Sequence, residues 1–433
     1  MVQAFAQCSG SILCRIHSWL RVIGSILPVA LLLVAGNSGA QELKTEVHNC
    51  ANLLSALREY TDSGSATPRA TSPQCANGIV QADLRLQSGI RHIDLAQLSE
   101  IVKDQYRFFG LAGYYGSVSI NVLNESGYPA AQGDNGVLAD EVWLAITGRY
   151  KVLGIEAPGA VLSVTESVAQ IEWPPGTNIN IRLVYGEKER VAEQESVFDA
   201  TRYGHLWGWL AALSKLVEKS LETLHDVSRL GWGWSIVMLA VALKILLLPV
   251  SFLTVHAQRQ VSNNQRILEP RIRTIKAEYD GEQAHTRIMQ AHKDLGVNPF
   301  FTLKPMLGLL IQIPVLIAVF NALGEMPQLI GADFMWIESL AYPDSVATMP
   351  FVIPMLGDAI NILPVLMTVV TLFATATFRN SVAPKGVVRT QKTQLYFMAA
   401  AFFALFYTFP AAMVWYWTAT NGLQLAQQRL LKI

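Results

Sequence analysis

Five apolar runs in the second half of the chain constrain its fold more than any other feature. They cover residues 232–253, 306–323, 362–378, 395–409 and 411–426. A helix needs about 20 apolar residues to cross a bilayer, and shorter helices are tolerated where the bilayer thins. Mean hydropathy is +0.30 and 15% of residues are charged, which is more apolar than the average soluble protein. The sequence therefore predicts a polytopic α-helical membrane protein, with a core of five helices within residues 231–433.

Charges between the apolar runs predict the orientation. Basic residues dominate residues 254–305 and 379–394, whereas residues 324–361 contain five acids and no Lys or Arg. Because basic loops stay in the cytoplasm, the first run should enter from outside and the C-terminus should be cytoplasmic. Heptad-spaced apolar residues in 254–300 predict a cytoplasmic helical hairpin that turns at "YDGE" and kinks or restarts at Pro270.

The first 200 residues predict an exported, soluble region. Residues 1–40 have basic residues before a short apolar run, which is typical of a signal sequence; a cleaved signal and an uncleaved anchor both stay open. Residues 41–200 contain alternating, β-branched stretches separated by Gly, Pro and Asn, and predict a small, mainly β extracytoplasmic domain. Cys50 and Cys75 would form a disulfide there or remain two small buried residues.

Residues 201–230 predict an amphipathic helix that lies along the membrane surface. Leu213, Leu216 and Leu221 fall on its apolar face, and Glu218 and Glu222 on its charged face. The alternative is a helix packed on the soluble domain.

Lys244 is a basic residue near the middle of the first apolar run. It lies ten residues from Trp234 and twelve from His256, or about 15–18 Å from either at 1.5 Å per residue. A lysine side chain cannot reach the membrane surface over that distance, and the other four runs carry no Asp or Glu. Lys244 should therefore meet water or uncharged polar side chains in a hydrated groove. The alternatives are a position near the edge of a short span and, for the polar residues, ordinary hydrogen bonding between helices.

Motifs along residues 203–433 resemble the YidC family of membrane protein insertases, which has mitochondrial and thylakoid relatives. They include "GWSIVMLAVALKILLLPVSF", "LIQIPVLIAVFNAL", "INILPVLMTVVT" and "FPAAMVWYWTATNGLQLAQQRLL". The resemblance implies a five-helix insertase core around a groove that opens to the cytoplasm and to lipid. It implies a protein of the bacterial inner membrane that is neither an enzyme nor bound to a cofactor. The groove arginine of the family falls on Lys244, and residues 41–200 do not match the family's large periplasmic domain.

The resemblance and the polar residues together define the predicted sites. The substrate groove should consist of Lys244, Gln312, Thr368, Thr371, Tyr416, Asn421 and Gln424. Cytoplasmic recruitment should use Arg259, Arg266, Arg271, Arg273, Lys276, Arg287, Lys293, Arg389 and Lys392. Expected partners are nascent membrane proteins and anionic lipid, with the Sec translocon and the ribosome as further candidates, and no DNA or metal is expected. A small-anion transporter or channel that uses Lys244 is the alternative class, and an assembly factor that holds membrane proteins without inserting them is a third.

Overall fold

The computed structural model describes residues 69–431, apart from 71–73, 77–78, 87–91, 105, 125–137, 139–140, 165–168, 174–178, 298–305 and 378–384. The predicted signal sequence and Cys50 lie outside the described residues. The described chain forms a β domain up to about residue 200, followed by a helical region.

The β domain contains ten strands, two helices and two 3₁₀ segments within the described residues. The strands are β1 (Arg69–Ala70), β2 (Gln74–Ala76), β3 (Ile79–Leu86), β4 (His92–Asp94), β5 (Ser119–Leu123), β6 (Trp143–Thr147), β7 (Lys151–Glu156), β8 (Val161–Val164), β9 (Ala169–Glu172) and β10 (Ile179–Glu187). The helices are α1 (Leu95–Val102) and α2 (Lys188–Gln194), and the 3₁₀ segments are Gly110–Gly116 and Ser196–Thr201. The mainly β character predicted for this region is confirmed.

One antiparallel sheet organises the domain in the order β1-β3-β10-β7-β6-β5, with β2 paired to β3. A second sheet has the order β4-β9-β8. All five residues of β6, which lies between β7 and the edge strand β5, are buried, since α1 packs on one face and the segment around Phe198 packs on the other. Burial on both faces explains why β6 reads as a continuous apolar run.

The helical region contains eight helices and one hairpin among the described residues. The helices are α3 (Gly208–Ser228), α4 (Trp232–Leu246), α5 (Leu248–Glu278), α6 (Gly281–Asp294), α7 (Met306–Glu325), α8 (Leu363–Thr377), α9 (Lys385–Phe406) and α10 (Ala411–Leu431). Strands β11 (Ser345–Ile353) and β12 (Gly357–Asn361) form the hairpin between α7 and α8. Buried residues of α3, α4, α7, α8, α9 and α10 share one apolar cluster, so these six helices form one packed unit.

Two helix boundaries differ from the predicted ones. The first run is divided between two helices: α4 ends at Leu246, and a one-residue break at Leu247 separates it from α5, because Pro249 occupies the first turn of α5. Helix α5 then continues through Pro270 without restarting. Helix α9 begins at Lys385, so most of the predicted basic loop 379–394 is helical. Among the described residues no single helix is long and apolar enough to cross a membrane, whereas α3 and α4 meet that criterion together but join at 118°.

Helix α3 packs differently from its predicted amphipathic pattern. Leu210, Ser214, Val217 and Leu221 form the buried stripe, and Glu218 is buried beside it. This stripe contacts α7 and α4, and its i, i+4, i+7, i+11 spacing keeps it on one side of the helix. The prediction that Glu218 faces away from the packed side is wrong, because Arg202 and Tyr203 of the preceding segment lie against it.

The predicted helical hairpin of residues 254–300 is formed by α5 and α6. Gly281, with a φ of +60°, follows Asp280 at the turn, which is a conformation that glycine adopts without strain. Val261, Leu268 and Ala291 are buried between the two arms. This apolar contact is small, so the hairpin presents mostly polar side chains to its surroundings.

Candidate functional site

Lys244 lies in the last turn of α4, three residues before the break at Leu247. Its side chain is buried, with 9% of the residue exposed. The ammonium group donates a hydrogen bond to the side-chain carbonyl oxygen of Gln424 on α10. Helices α4 and α10 therefore meet through a charged donor and a neutral amide.

A polar track continues from Gln424 across α10 to α8. Asn421 lies one turn before Gln424, on the same side of α10, and its amide donates to the hydroxyl of Thr371 at 3.0 Å. The Thr371 hydroxyl donates in turn to the carbonyl of Met367 in its own helix, at 2.8 Å. The polar track thus consists of two hydrogen-bonded pairs, Lys244–Gln424 and Asn421–Thr371, which lie one turn apart on α10 and involve three helices.

No hydrogen bond among the described residues connects the other three predicted groove residues to this track. Thr368 is half-buried and donates to the carbonyl of Pro364, within its own helix. Tyr416 is 6% exposed and belongs to the apolar cluster. Gln312 is exposed on α7, and no hydrogen bond among the described residues connects it to Lys244. The place of these three residues in the groove stays a prediction.

Lys244 has no carboxylate partner among the described residues. Within the described part of the chain, no carboxylate oxygen lies within 4.0 Å of its ammonium group. Gln424 is itself exposed, so the amide end of the pair is accessible. Gln427, one turn further along α10, is 4% exposed, and its carbonyl oxygen has no hydrogen-bond partner among the described residues. A buried cation bound by a single amide can accept a carboxylate from another molecule, because that carboxylate would supply the missing counter-charge.

Most of the predicted recruitment residues are exposed. This holds for Arg259, Arg266, Arg271, Arg273, Lys276, Arg287, Lys293 and Arg389. Arg273 pairs with Glu269 at 2.5 Å within its helix, and the guanidinium of Arg287 lies 4.1 Å from the centre of the Tyr279 ring. Lys392 is half-buried and donates to the carbonyl of Ala376 at 3.2 Å, so it stabilises the C-terminal end of α8.

A buried arginine that the sequence analysis did not single out joins the β domain to the helices. Arg149 is 4% exposed, and its Nε donates to the carbonyl of Gly324 near the end of α7 at 2.6 Å. Its Nη1 lies 3.5 Å from a carboxylate oxygen of Asp104, which also accepts a hydrogen bond from Tyr342. Only the folded contact identifies this role, since Arg149 and Gly324 lie 175 residues apart.

An acidic cluster lies beside that interface. Glu189, Glu218 and Glu222 each have a carboxylate oxygen within 4.8 Å of the others. Arg202 binds Glu218 at 2.8 Å, and the amide of Gln328 donates to Glu189 and Glu222. Burial raises the pKa of Glu218 to about 7, against the opposing effect of Arg202. Because Arg202 and Gln328 already bind these carboxylates, we assign no metal to the cluster.

Comparison with known proteins agrees with the C-terminal resemblance. Residues 223–433 match the family model described as "60Kd inner membrane protein". The membrane protein insertase YidC of Ralstonia nicotianae is 32% identical over 286 residues, which cover 65% of this chain and 44% of that protein. YidC of Cupriavidus necator is 33% identical over 263 residues, which cover 59% of this chain and 42% of that protein.

The chain spans less than half the length of either relative. A solved structure titled "Active YidC insertase crystal structure with the first transmembrane domain resolved" covers 88% of this chain and 98% of its own, at 16% identity and a TM-score of 0.37. That backbone likeness is weak, so the assignment depends on the sequence matches. The resemblance of the C-terminal region to the YidC family is confirmed, since residues 223–433 match the family model described as "60Kd inner membrane protein" and the sequence matches are to YidC insertases.

Proposed function

We propose that this protein is a membrane protein insertase of a bacterial inner membrane. The observation that carries the proposal is the buried ammonium of Lys244, which is bound by the Gln424 amide and by no carboxylate among the described residues. Residues of this kind inside a membrane bundle are costly and usually functional. The YidC relatives named above support the same function for the region that carries Lys244.

In this proposal α4, α7, α8, α9 and α10 are the membrane-spanning helices. The β domain and the α7–α8 connection lie outside the cytoplasm, and the α5–α6 hairpin and the C-terminus lie inside, as the basic loops favour. The exposed arginines and lysines of the hairpin would bind the ribosome, the nascent chain or anionic lipid through general electrostatics. The Sec translocon is a further candidate partner.

Insertion would proceed without covalent chemistry. The polar flank of a nascent membrane protein enters beside α4 and α10, and an acidic group in it displaces the Gln424 amide from Lys244. Asn421 and Thr371 offer further hydrogen bonds along the path. The client's apolar helix then moves sideways into lipid, and burial of that helix supplies the driving free energy.

The test compares Lys244→Met, Lys244→Arg and wild type in cells depleted of their own insertase. Two clients differ only in their translocated tail, one acidic and one with amides in place of the acids. We expect Lys244→Met to reduce insertion of the acidic client at least about tenfold, or about 1.4 kcal/mol, and to affect the amide client less. Lys244→Arg keeps the charge and should retain most of the activity.

Lys219→Ala is the matched control, because Lys219 is a surface lysine of α3 that pairs with Glu222. It should leave both clients unaffected. Equal insertion of the acidic client by wild type and Lys244→Met would remove Lys244 from the mechanism. Photocrosslinking from position 424 to a ribosome-bound nascent chain separates insertion from small-anion transport, since a transporter would give no such product.

A further inference from the structure

The β11–β12 hairpin, residues 345–361, has an unusual surface for a segment between two helices. Asp358 is its one charged residue, and every residue of β11 is exposed or half-buried. Its exposed large apolar side chains are Val346 (51%), Phe351 (60%), Val352 (58%), Met355 (70%) and Ile360 (42%). An apolar surface of this kind marks a contact with another protein or with a membrane.

Contacts at both ends fix the position of this hairpin. At its base, the amide of Asn361 donates to the carbonyl of Tyr407 at 2.6 Å, and the Tyr407 hydroxyl donates to the carbonyl of Ala359 at 3.1 Å. At its turn, Gly110 packs so closely that an added Cβ would lie 2.6 Å from the Met355 carbonyl oxygen. The hairpin is therefore held against the β domain and α9, and the observed exposure belongs to this fixed arrangement.

The neighbouring helix indicates what covers the apolar surface. The exposed apolar side chains continue from the hairpin along α8, through Ile362, Val365, Val369 and Phe373. Under the proposed function, lipid covers this side of α8. The same lipid would then meet the hairpin at the end of α8 nearest the β domain.

The polar groups of the hairpin suit a position at the membrane surface. The two strands pair with each other, which satisfies the backbone hydrogen-bonding groups on the inner edge of each strand. The N–H and C=O groups on the outer edges still need hydrogen bonds from water or lipid headgroups. Asp358 is half-buried and lies on the side of the β domain, where burial and its charge raise the pKa of Tyr106. The charge thus faces protein, while the large exposed side chains are apolar.

We propose that the hairpin is an interfacial anchor that inserts Phe351 and Val352 at the boundary between headgroups and acyl chains, in the leaflet next to the β domain. Aromatic and aliphatic side chains bind this boundary in other peripheral segments. The anchor would hold the β domain at a fixed height above the helices, since Met355 and Gly110 connect the two. This inference rests on the proposed function, which places α8 in lipid.

The test uses the full chain with its four cysteines replaced by serine, reconstituted in phosphatidylcholine–phosphatidylglycerol vesicles. Single cysteines from Phe351→Cys, Val369→Cys or Asn121→Cys carry an environment-sensitive fluorophore. Val369 is 56% exposed on α8, and Asn121 is exposed on β5. Quenching is measured with nitroxide-labelled lipid and with aqueous iodide.

We expect nitroxide lipid to quench the labels at 351 and 369 several-fold more than the label at 121. Iodide should quench only the label at 121. Iodide quenching at 351 together with lipid quenching at 369 would overturn the anchor and leave the proposed function standing. Iodide quenching at 369 would instead refute the membrane embedding on which the proposed function depends. Protection of 351 from both quenchers would identify a protein contact and overturn the lipid anchor. Val352→Cys replaces Phe351→Cys if the latter fails to fold.

Discussion

Replacing Arg149 by methionine should weaken the contact between the β domain and the helical region. Arg149 binds the Gly324 carbonyl at 2.6 Å and the Asp104 carboxylate at 3.5 Å. Its guanidinium lies within 5.0 Å of the centres of the Phe108, Tyr115 and Tyr150 rings. Methionine fills much of the same volume but removes the charge and every hydrogen bond.

The magnitude follows from what the substitution leaves behind. The side chains of Arg149 and Asp104 are 1% and 2% exposed, so Asp104 would remain as a buried carboxylate without its cation. Removing one partner of a buried pair costs about 3–5 kcal/mol. The Gly324 carbonyl would also lose its donor near the C-terminus of α7, where a positive charge is favourable. These losses overlap, so we expect a decrease of about 3–5 kcal/mol in the free energy of unfolding rather than their sum.

Asp104→Asn tests the pairing itself. Asparagine keeps an acceptor for the Tyr342 hydroxyl, which lies 3.2 Å from Asp104. In the double variant no buried carboxylate is left unpaired. The combined loss should therefore be smaller than the sum of the single losses by about 0.5–3 kcal/mol.

Denaturant unfolding of the purified full chain in mild detergent, followed by tryptophan fluorescence, measures these differences. Limited proteolysis reports separately whether the two regions have come apart. Arg182→Met is the matched control, because Arg182 is 44% exposed and pairs with Glu195 and Glu156 at the surface. Such exposed ion pairs contribute about 0–1 kcal/mol to the free energy of unfolding. If Arg149→Met lost no more stability than Arg182→Met, the interface would not depend on the arginine as we argue.

Three further predictions concern the packing around the helices. Burial raises the pKa of Glu218 to about 7 from an ordinary 4.5, so the native state binds the Glu218 proton more tightly than the unfolded state does. The contribution of this proton to stability is therefore full below about pH 4.5 and is lost as pH rises through about 7. Glu218→Gln should flatten that part of a pH–stability profile. Asp344 accepts hydrogen bonds from the backbone N–H of Leu363 at 2.6 Å and from Trp336 at 3.1 Å; Asp344→Ala should lower the free energy of unfolding by about 1–2 kcal/mol, and Asp344→Asn by less. A Cβ on Gly233 would lie 2.1 Å from the Phe334 ring, so Gly233→Ala should cost about 1–3 kcal/mol.

Each of these three has a defined contrary result. An unchanged pH profile for Glu218→Gln would show that Glu218 is not the titrating group. Equal stability of Asp344→Ala and wild type would mean that Asp344 does not cap α8. Gly422→Ala is the control for Gly233→Ala, because among the described residues no atom outside the local helix backbone lies within 4 Å of a Cβ at Gly422; equal costs at the two positions would contradict the clash.

The sequence by itself determined the features that depend on neighbours along the chain. Apolar runs located the five core helices, alternation located the strands of the β domain, and "YDGE" located the turn between α5 and α6. It also showed that Lys244 is an isolated charge, since the other four apolar runs contain no acid. These properties follow from helical and strand periodicity, which acts over a few residues.

Tertiary structure alone decided which distant groups meet. Gln424 binds Lys244 across 180 residues, and Arg149 binds Gly324 across 175; no local pattern specifies either partner. Glu218 fell on the charged face by its periodicity, yet Arg202 and Tyr203 make its burial possible. The physical reason is that burial of a polar group is set by the partners that packing brings to it, and the free energy of that pairing exists only once the elements have docked.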